Sequence, residues 1–226
     1  MAGYKSQEKR VGYALGVALA LLVLYQVPAL APWLLIASLL WWAAATFLVV
    51  GYPGTSRLWG GSRGSLLIGL LVLLPSWQAL VVLKQWPLGN WLILAAMVLV
   101  WAADIGAYFS GKTFGRRKLA PQVSPGKSWE GLVGGLLTSL LITLCVGLYR
   151  GWTVGELLLA LLGAALVVLI SVVGDLNESM FKRSSGIKDS SQLLPGHGGV
   201  MDRIDSLTAA LPVFAVFLWL AGWGTW

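Results

Sequence analysis

Seven stretches of this 226-residue chain are each long and apolar enough to cross a bilayer: 11–31, 33–50, 65–83, 91–109, 131–149, 154–173 and 206–224. A hydrocarbon layer about 30 Å thick takes about 20 apolar residues in helical form. Backbone groups in lipid must find their partners within the segment or in a closed barrel. No ten-residue alternation of a barrel strand occurs, so the spans are predicted as helices. Pro75 and Pro212 fall inside spans and are expected to kink them. Only 11% of the residues are charged and 58% are hydrophobic, where soluble domains carry about 25% charge. A water-soluble globule is therefore excluded. The expected fold is all-α: one polytopic membrane domain over 1–226, with about seven transmembrane helices and its site at the cytoplasmic interface.

The basic residues orient this bundle. With the N-terminus in the cytoplasm and strict alternation, fourteen of the sixteen Lys and Arg residues fall on the cytoplasmic side, and only Lys84 and Arg150 lie outside. So uneven a split is the positive-inside signal. The net charge of +7 then bears on orientation and anionic lipid, and no nucleic-acid partner is expected. Lys5, Lys9 and Arg10 ahead of an apolar run ending Ala29, Leu30, Ala31 imitate a signal peptide. The run is long for a signal core and Pro32 would follow the cut, so it is read as an uncleaved first span. The single cysteine, Cys145, allows no internal disulfide and is read as a packing residue.

Acids contribute little to orientation, yet eight of the nine share the cytoplasmic face, Glu156 being the exception. Asp104 is the one ionisable residue well inside a span, which marks it as a candidate functional group facing a wet cavity. The loop 174–205 is richest. Asp175 and Glu178 stand three residues apart, as do Asp202 and Asp205 where the last span begins. Antiparallel neighbouring helices would bring the two pairs together at the membrane surface. Carboxylates without thiols or a histidine cluster suit Mg²⁺ rather than Zn²⁺. With Lys182, Arg183, Lys188 and Arg203 around them, they make the set that phosphoryl-type transfer needs. The PGHGG run at 195–199 holds the only histidine, His197. That residue reads either as a donor to phosphate or leaving group, or as an ordinary hydrogen-bonding side chain.

Residues 106–113, GAYFSGKT, satisfy the P-loop pattern letter by letter. The mechanism behind that pattern needs a strand before it and a soluble α/β sheet around it. Here the first glycine lies in a membrane helix, so the P-loop reading is set aside and Lys112 alone remains a candidate phosphate contact. Downstream, 115–131 forms a second polar, basic cytoplasmic loop.

The SMFKR run at 179–183, Lys188 with Asp189, and PGHGGVMDRID at 195–205 resemble the signature of the phosphatidate cytidylyltransferase, or CDP-diacylglycerol synthase, family, with every defined position met. The resemblance reaches upstream through Gly174 and Asp175, Ser124 and Pro125, Trp129 to Gly131, and Asp104 with Tyr108. It covers about 91–220, taken as the catalytic part, with loops 110–130 and 174–205. It implies that CTP and phosphatidic acid give CDP-diacylglycerol and pyrophosphate, the lipid phosphate attacking the α-phosphorus with no protein nucleophile. It also implies a metal centre at Asp175 and Asp202, with Mg²⁺ and a second, monovalent cation such as K⁺. Lys182, Arg183, Lys188 and Arg203 are then assigned to phosphate. Asp189 and Asp205 take supporting or metal roles, Ser124, Lys127, Ser128 and Glu130 hold the nucleotide, and Asp104 lines the cavity. Membrane lipid and a homodimeric partner follow from the resemblance, as does a bacterial inner membrane with the site and N-terminus cytoplasmic. Gly126 and Ser128 depart from the family's frequent Lys and Thr, and family members usually carry further hydrophobic segments before the point where this chain starts. The alternative of another class is a CTP-dependent membrane kinase acting on a polyprenol or phytol-type alcohol, which would release CDP. A transporter is disfavoured, because polar groups near the midplane of several helices are missing.

Overall fold

The computed structural model describes residues 7–191, 193 and 198–224. It is a helical bundle: α1 (Gln7–Gln26), a 3₁₀ turn (Pro28–Leu30), α2 (Ala31–Val50), a short α3 (Ser56–Trp59), α4 (Ser62–Gln85), α5 (Gly89–Phe114), α6 (Trp129–Arg150), α7 (Val154–Ser184) and α8 (Met201–Leu220). Between α5 and α6 the chain forms an antiparallel hairpin of β1 (Lys118–Ala120) and β2 (Ser124–Ser128), with Lys118 opposite Ser128 and Ala120 opposite Ser124. Among the described residues, six helices are long and apolar enough to cross a membrane, and α1 is not one of them. The chain is therefore an integral membrane protein of the expected class, with six spans supported rather than seven. The predicted first span, 11–31, corresponds to α1, which ends at Gln26, has no buried residue, and is tied to α4 by the Tyr13 hydroxyl donating to the Leu66 carbonyl at 2.9 Å.

Helix α8 is the hub. Its most apolar stretch is 61% buried, against 28–44% for the other spans, and it packs on α7, α4, α2 and α5. Pro212 lies buried in its middle and cannot donate to the carbonyl of Thr208, four residues earlier. That carbonyl instead faces the Ser76 hydroxyl of α4 at 2.7 Å, which shares its one proton with the Val72 carbonyl of its own helix. A proline that would leave a buried carbonyl without a partner thus becomes a tie between two spans.

Two glycines allow the close approaches that shape the site. A side chain at Gly135 of α6 would place its Cβ 2.5 Å from the Ala103 carbonyl oxygen of α5. One at Gly174 of α7 would sit 2.7 Å from the Asp205 carbonyl oxygen of α8. Both clashes are with backbone, so no rotamer change relieves them. Packing forms two buried clusters. One is centred on Leu35, Leu83, Val100, Val167 and Ala210. The other, beneath the hairpin, contains Trp42, Trp59, Val123, Met180 and Phe181.

The 174–205 segment departs from the expected loop. Helix α7 runs 31 residues to Ser184, about 46 Å at 1.5 Å per residue, well beyond the hydrocarbon thickness. Asp175 to Arg183 are thus helical, and the connection to α8 is confined to 185–200. The 110–130 loop is likewise structured, because α5 persists to Phe114 and the hairpin occupies most of the rest.

Candidate active site

The polar groups gather where α5, α6, α7 and α8 meet the hairpin. A cavity of about 470 Å³ is lined by Asp104, Tyr108, Lys112, Lys127, Ser128 and Asp175, among others. Beside it, a smaller cavity of about 290 Å³ is lined by Asp104, Asp175, Asp202, Arg203 and Asp205 together with Val100, Trp101, Ser206 and Leu207. Asp104 and Asp175 belong to both and stand on the shared wall. A third, mainly apolar cavity of about 460 Å³ shares Leu119, Leu132 and Val172 with the first.

The acidic pairs do come together across α7 and α8, which Gly174 lets approach. Lys182 bridges them, 2.8 Å from Glu178 and 2.7 Å from Asp202. Glu178 is 4% exposed, and its Oε2 accepts from this ammonium. Among the described residues, Asp202 is the most heavily bonded carboxylate. Besides Lys182 it accepts from the Ser190 amide at 2.9 Å, the Ser190 hydroxyl at 2.7 Å and the Gly199 amide at 2.6 Å. Those bonds draw the two ends of the 190–199 segment onto the first turn of α8. Nothing in the spacing of charged residues marks Ser190, which is why the sequence reading misses it.

Asp175 pairs with Lys127 of β2 at 2.5 Å and accepts from the Ser179 hydroxyl at 3.2 Å. Two nucleotide candidates have structural work. Ser128 caps α6 by accepting from the Gly131 amide at 3.1 Å. Glu130 accepts from the backbone amides of Arg116 and Arg117 at 3.1 and 3.2 Å, holding the start of the hairpin. Lys127 carries a charge into the larger cavity, while Ser124 opens β2 opposite Ala120. Lys112 lies over the Tyr108 ring, 5.7 Å from its centroid. Arg183 donates from Nε to the Val123 carbonyl at 3.3 Å. Lys188 and Asp189 are exposed in the segment between α7 and α8. His197, with Pro195 and Gly196, lies outside the described residues. Glu156, the outlying acid, closes a capping box with Thr153 at the start of α7.

Among the described residues, no three His, Cys, Asp or Glu side chains form a ready metal-ligand set. Mg²⁺ needs fewer, being commonly held by one or two carboxylates with water and substrate phosphates. Asp175 and Asp202 on one small cavity fit that description in number and in oxygen chemistry. Both now face ammonium groups, Lys127 and Lys182, so each already sits where positive charge is favoured.

Several known proteins are similar to this chain in sequence. The chain is 68% identical over 224 residues to a phosphatidate cytidylyltransferase of Pseudomonas aeruginosa, covering 99% of this chain and 83% of the relative. A protein of the same name from Haemophilus influenzae is 48% identical over 194 residues, 81% of this chain and 67% of that one. One from Synechocystis is 44% identical over 135 residues, 60% of this chain and 45% of its own length. The family model described as the cytidylyltransferase family matches residues 1–221, every part of the site included. With carboxylates and lysines converging at the ends of membrane helices and that match running through all of them, the chain belongs to the cytidylyltransferase family.

Proposed function

We propose that this chain transfers the cytidylyl group of CTP to phosphatidic acid, giving CDP-diacylglycerol and pyrophosphate, at the cytoplasmic face of a bacterial inner membrane. The observation that carries the reading is the pair of adjoining cavities with Asp104 and Asp175 on their common wall, set where membrane helices end. Both substrates are anionic and one is a lipid, so a basic, lipid-accessible pocket is what their chemistry requires. An oxygen of the lipid phosphate attacks the α-phosphorus of CTP. The new P–O bond forms as the bond to the β-phosphate's bridging oxygen breaks, and pyrophosphate leaves with that electron pair. No covalent enzyme intermediate is needed.

Lys127, Lys112 and Arg203 meet the charge that spreads over the phosphates, and the 124–130 segment holds the nucleotide. Preorganised cations of this kind act most strongly where water is excluded. Mg²⁺ held by Asp175 and Asp202 would supply further charge neutralisation and orient the phosphates. The apolar cavity beside Leu119 and Leu132 offers room for the acyl chain nearest the headgroup.

The test is pyrophosphate release by the purified chain with CTP, phosphatidic acid and Mg²⁺, alongside Asp175→Asn and Asp202→Asn. Release should require both substrates and fall at least about 100-fold in each variant, the scale of losing one electrostatic stabiliser. Release of CDP in place of pyrophosphate, or silence in the folded wild type, overturns the assignment.

A further inference from the structure

Arg183 and Lys182 are neighbours in sequence but point to different partners. Lys182 reaches Glu178 and Asp202. Arg183 turns the other way, toward the hairpin, where its Nε–H donates to the carbonyl of Val123 at 3.3 Å. Val123 is no ordinary turn residue. It is 1% exposed, packs in the cluster containing Leu176, Met180 and Phe181, and its amide closes the turn onto the Ala120 carbonyl at 3.1 Å. The tip of the hairpin is thus plugged into the cytoplasmic end of α7 and hydrogen-bonded there. Four residues on, within β2, Lys127 meets Asp175, two helical turns back on α7. The two contacts span one short strand, so moving Val123 moves Lys127.

We propose that Arg183 is a positioning residue: its Nε–H holds the Val123 carbonyl and thereby sets the strand that carries Lys127 to Asp175. Its consequence for rate rests on the cytidylyl-transfer reading; the placement of the hairpin does not. A phosphate clamp would use the guanidinium charge and its terminal fork. A strand brace uses only the Nε donor. The two roles separate cleanly by substitution, because the amide nitrogen of glutamine stands at the same bond distance from the backbone as arginine Nε. Arg183→Gln keeps a donor at that position and discards the charge. Arg183→Met keeps the length and discards the donor.

The experiment compares these variants in the pyrophosphate assay, each also in a Lys127→Met background. Arg183→Gln should hold kcat/KM within about twofold of wild type and Arg183→Met should lose about tenfold, the worth of one hydrogen bond that a charged group donates. In the Lys127→Met background the Arg183→Met loss should shrink to less than about twofold, since residues acting through one group are not additive. A nitroxide at Gln122, with Cys145 replaced by Ser, gives a readout that needs no activity. Its spectrum should sharpen in Arg183→Met and stay broad in Arg183→Gln. Equal losses in both variants, undiminished without Lys127, overturn the proposal and return Arg183 to the phosphates. An unmoved label in Arg183→Met overturns it as well. If the wild type releases no pyrophosphate, the function assignment fails while the label still decides the brace.

Discussion

Asp202 shows how one residue can be chosen for its neighbours. Its two oxygens take four donors, from Lys182, the Ser190 amide and hydroxyl, and the Gly199 amide. Removing one charge-assisted donor costs about 1.5–3 kcal/mol. Ser190→Ala deletes the hydroxyl and spares the amide, so the melting midpoint of the detergent-solubilised chain should fall by the equivalent of about 1.5–3 kcal/mol, and kcat/KM for pyrophosphate release should fall with it as the carboxylate loses a fixed position. Equal activity in the variant would show that this hydroxyl does not hold the carboxylate in its working position. The charged members of the site were legible in sequence because acids and bases on one membrane face are conspicuous. Ser190 was not, because a hydroxyl in a polar loop carries no pattern until the fold brings Asp202 to it.

At the scale of elements, the bonds between spans matter more than the spans themselves. The Thr208 carbonyl, released by Pro212, has the Ser76 hydroxyl as its partner. Ser76→Ala should lower stability by about 1 kcal/mol, the usual net worth of such a bond, seen as a lower thermal midpoint with kcat largely kept. An unchanged midpoint would mean that helix bending satisfies the carbonyl by itself. Apolar run length predicted the α2, α4, α5 and α6 helices well, since lipid imposes that length. It failed at the end of α7, where the chain leaves lipid and polar residues continue a helix that hydropathy no longer marks. It also missed the hairpin, whose strands of three and five residues are too short to show a period. Val123, buried against Phe181, and the backbone bonds to Glu130 hold that hairpin, and neither contact is local in sequence.

For the whole molecule, the basic residues from Arg57 onward favour one orientation, since among them only Lys84 and Arg150 fall on the opposite side. We propose that the hairpin, the end of α7 and the start of α8 face the cytoplasm and that the turn from α6 to α7 faces outward. A membrane-impermeant thiol reagent applied to intact cells should label Gly151→Cys and spare Gln122→Cys, both in a Cys145→Ser background. The reverse pattern would invert the bundle and place the site away from cytosolic CTP. The long α7 has one more consequence. Each residue added to a helix advances it 1.5 Å and turns it by about 100°. Asp175, Lys182 and Arg183 hang on the same unbroken rod as the transmembrane segment, so a single inserted or deleted residue above Gly174 would swing all three off Lys127, Asp202 and Val123 at once. The spelling of that stretch can drift, but its arithmetic cannot.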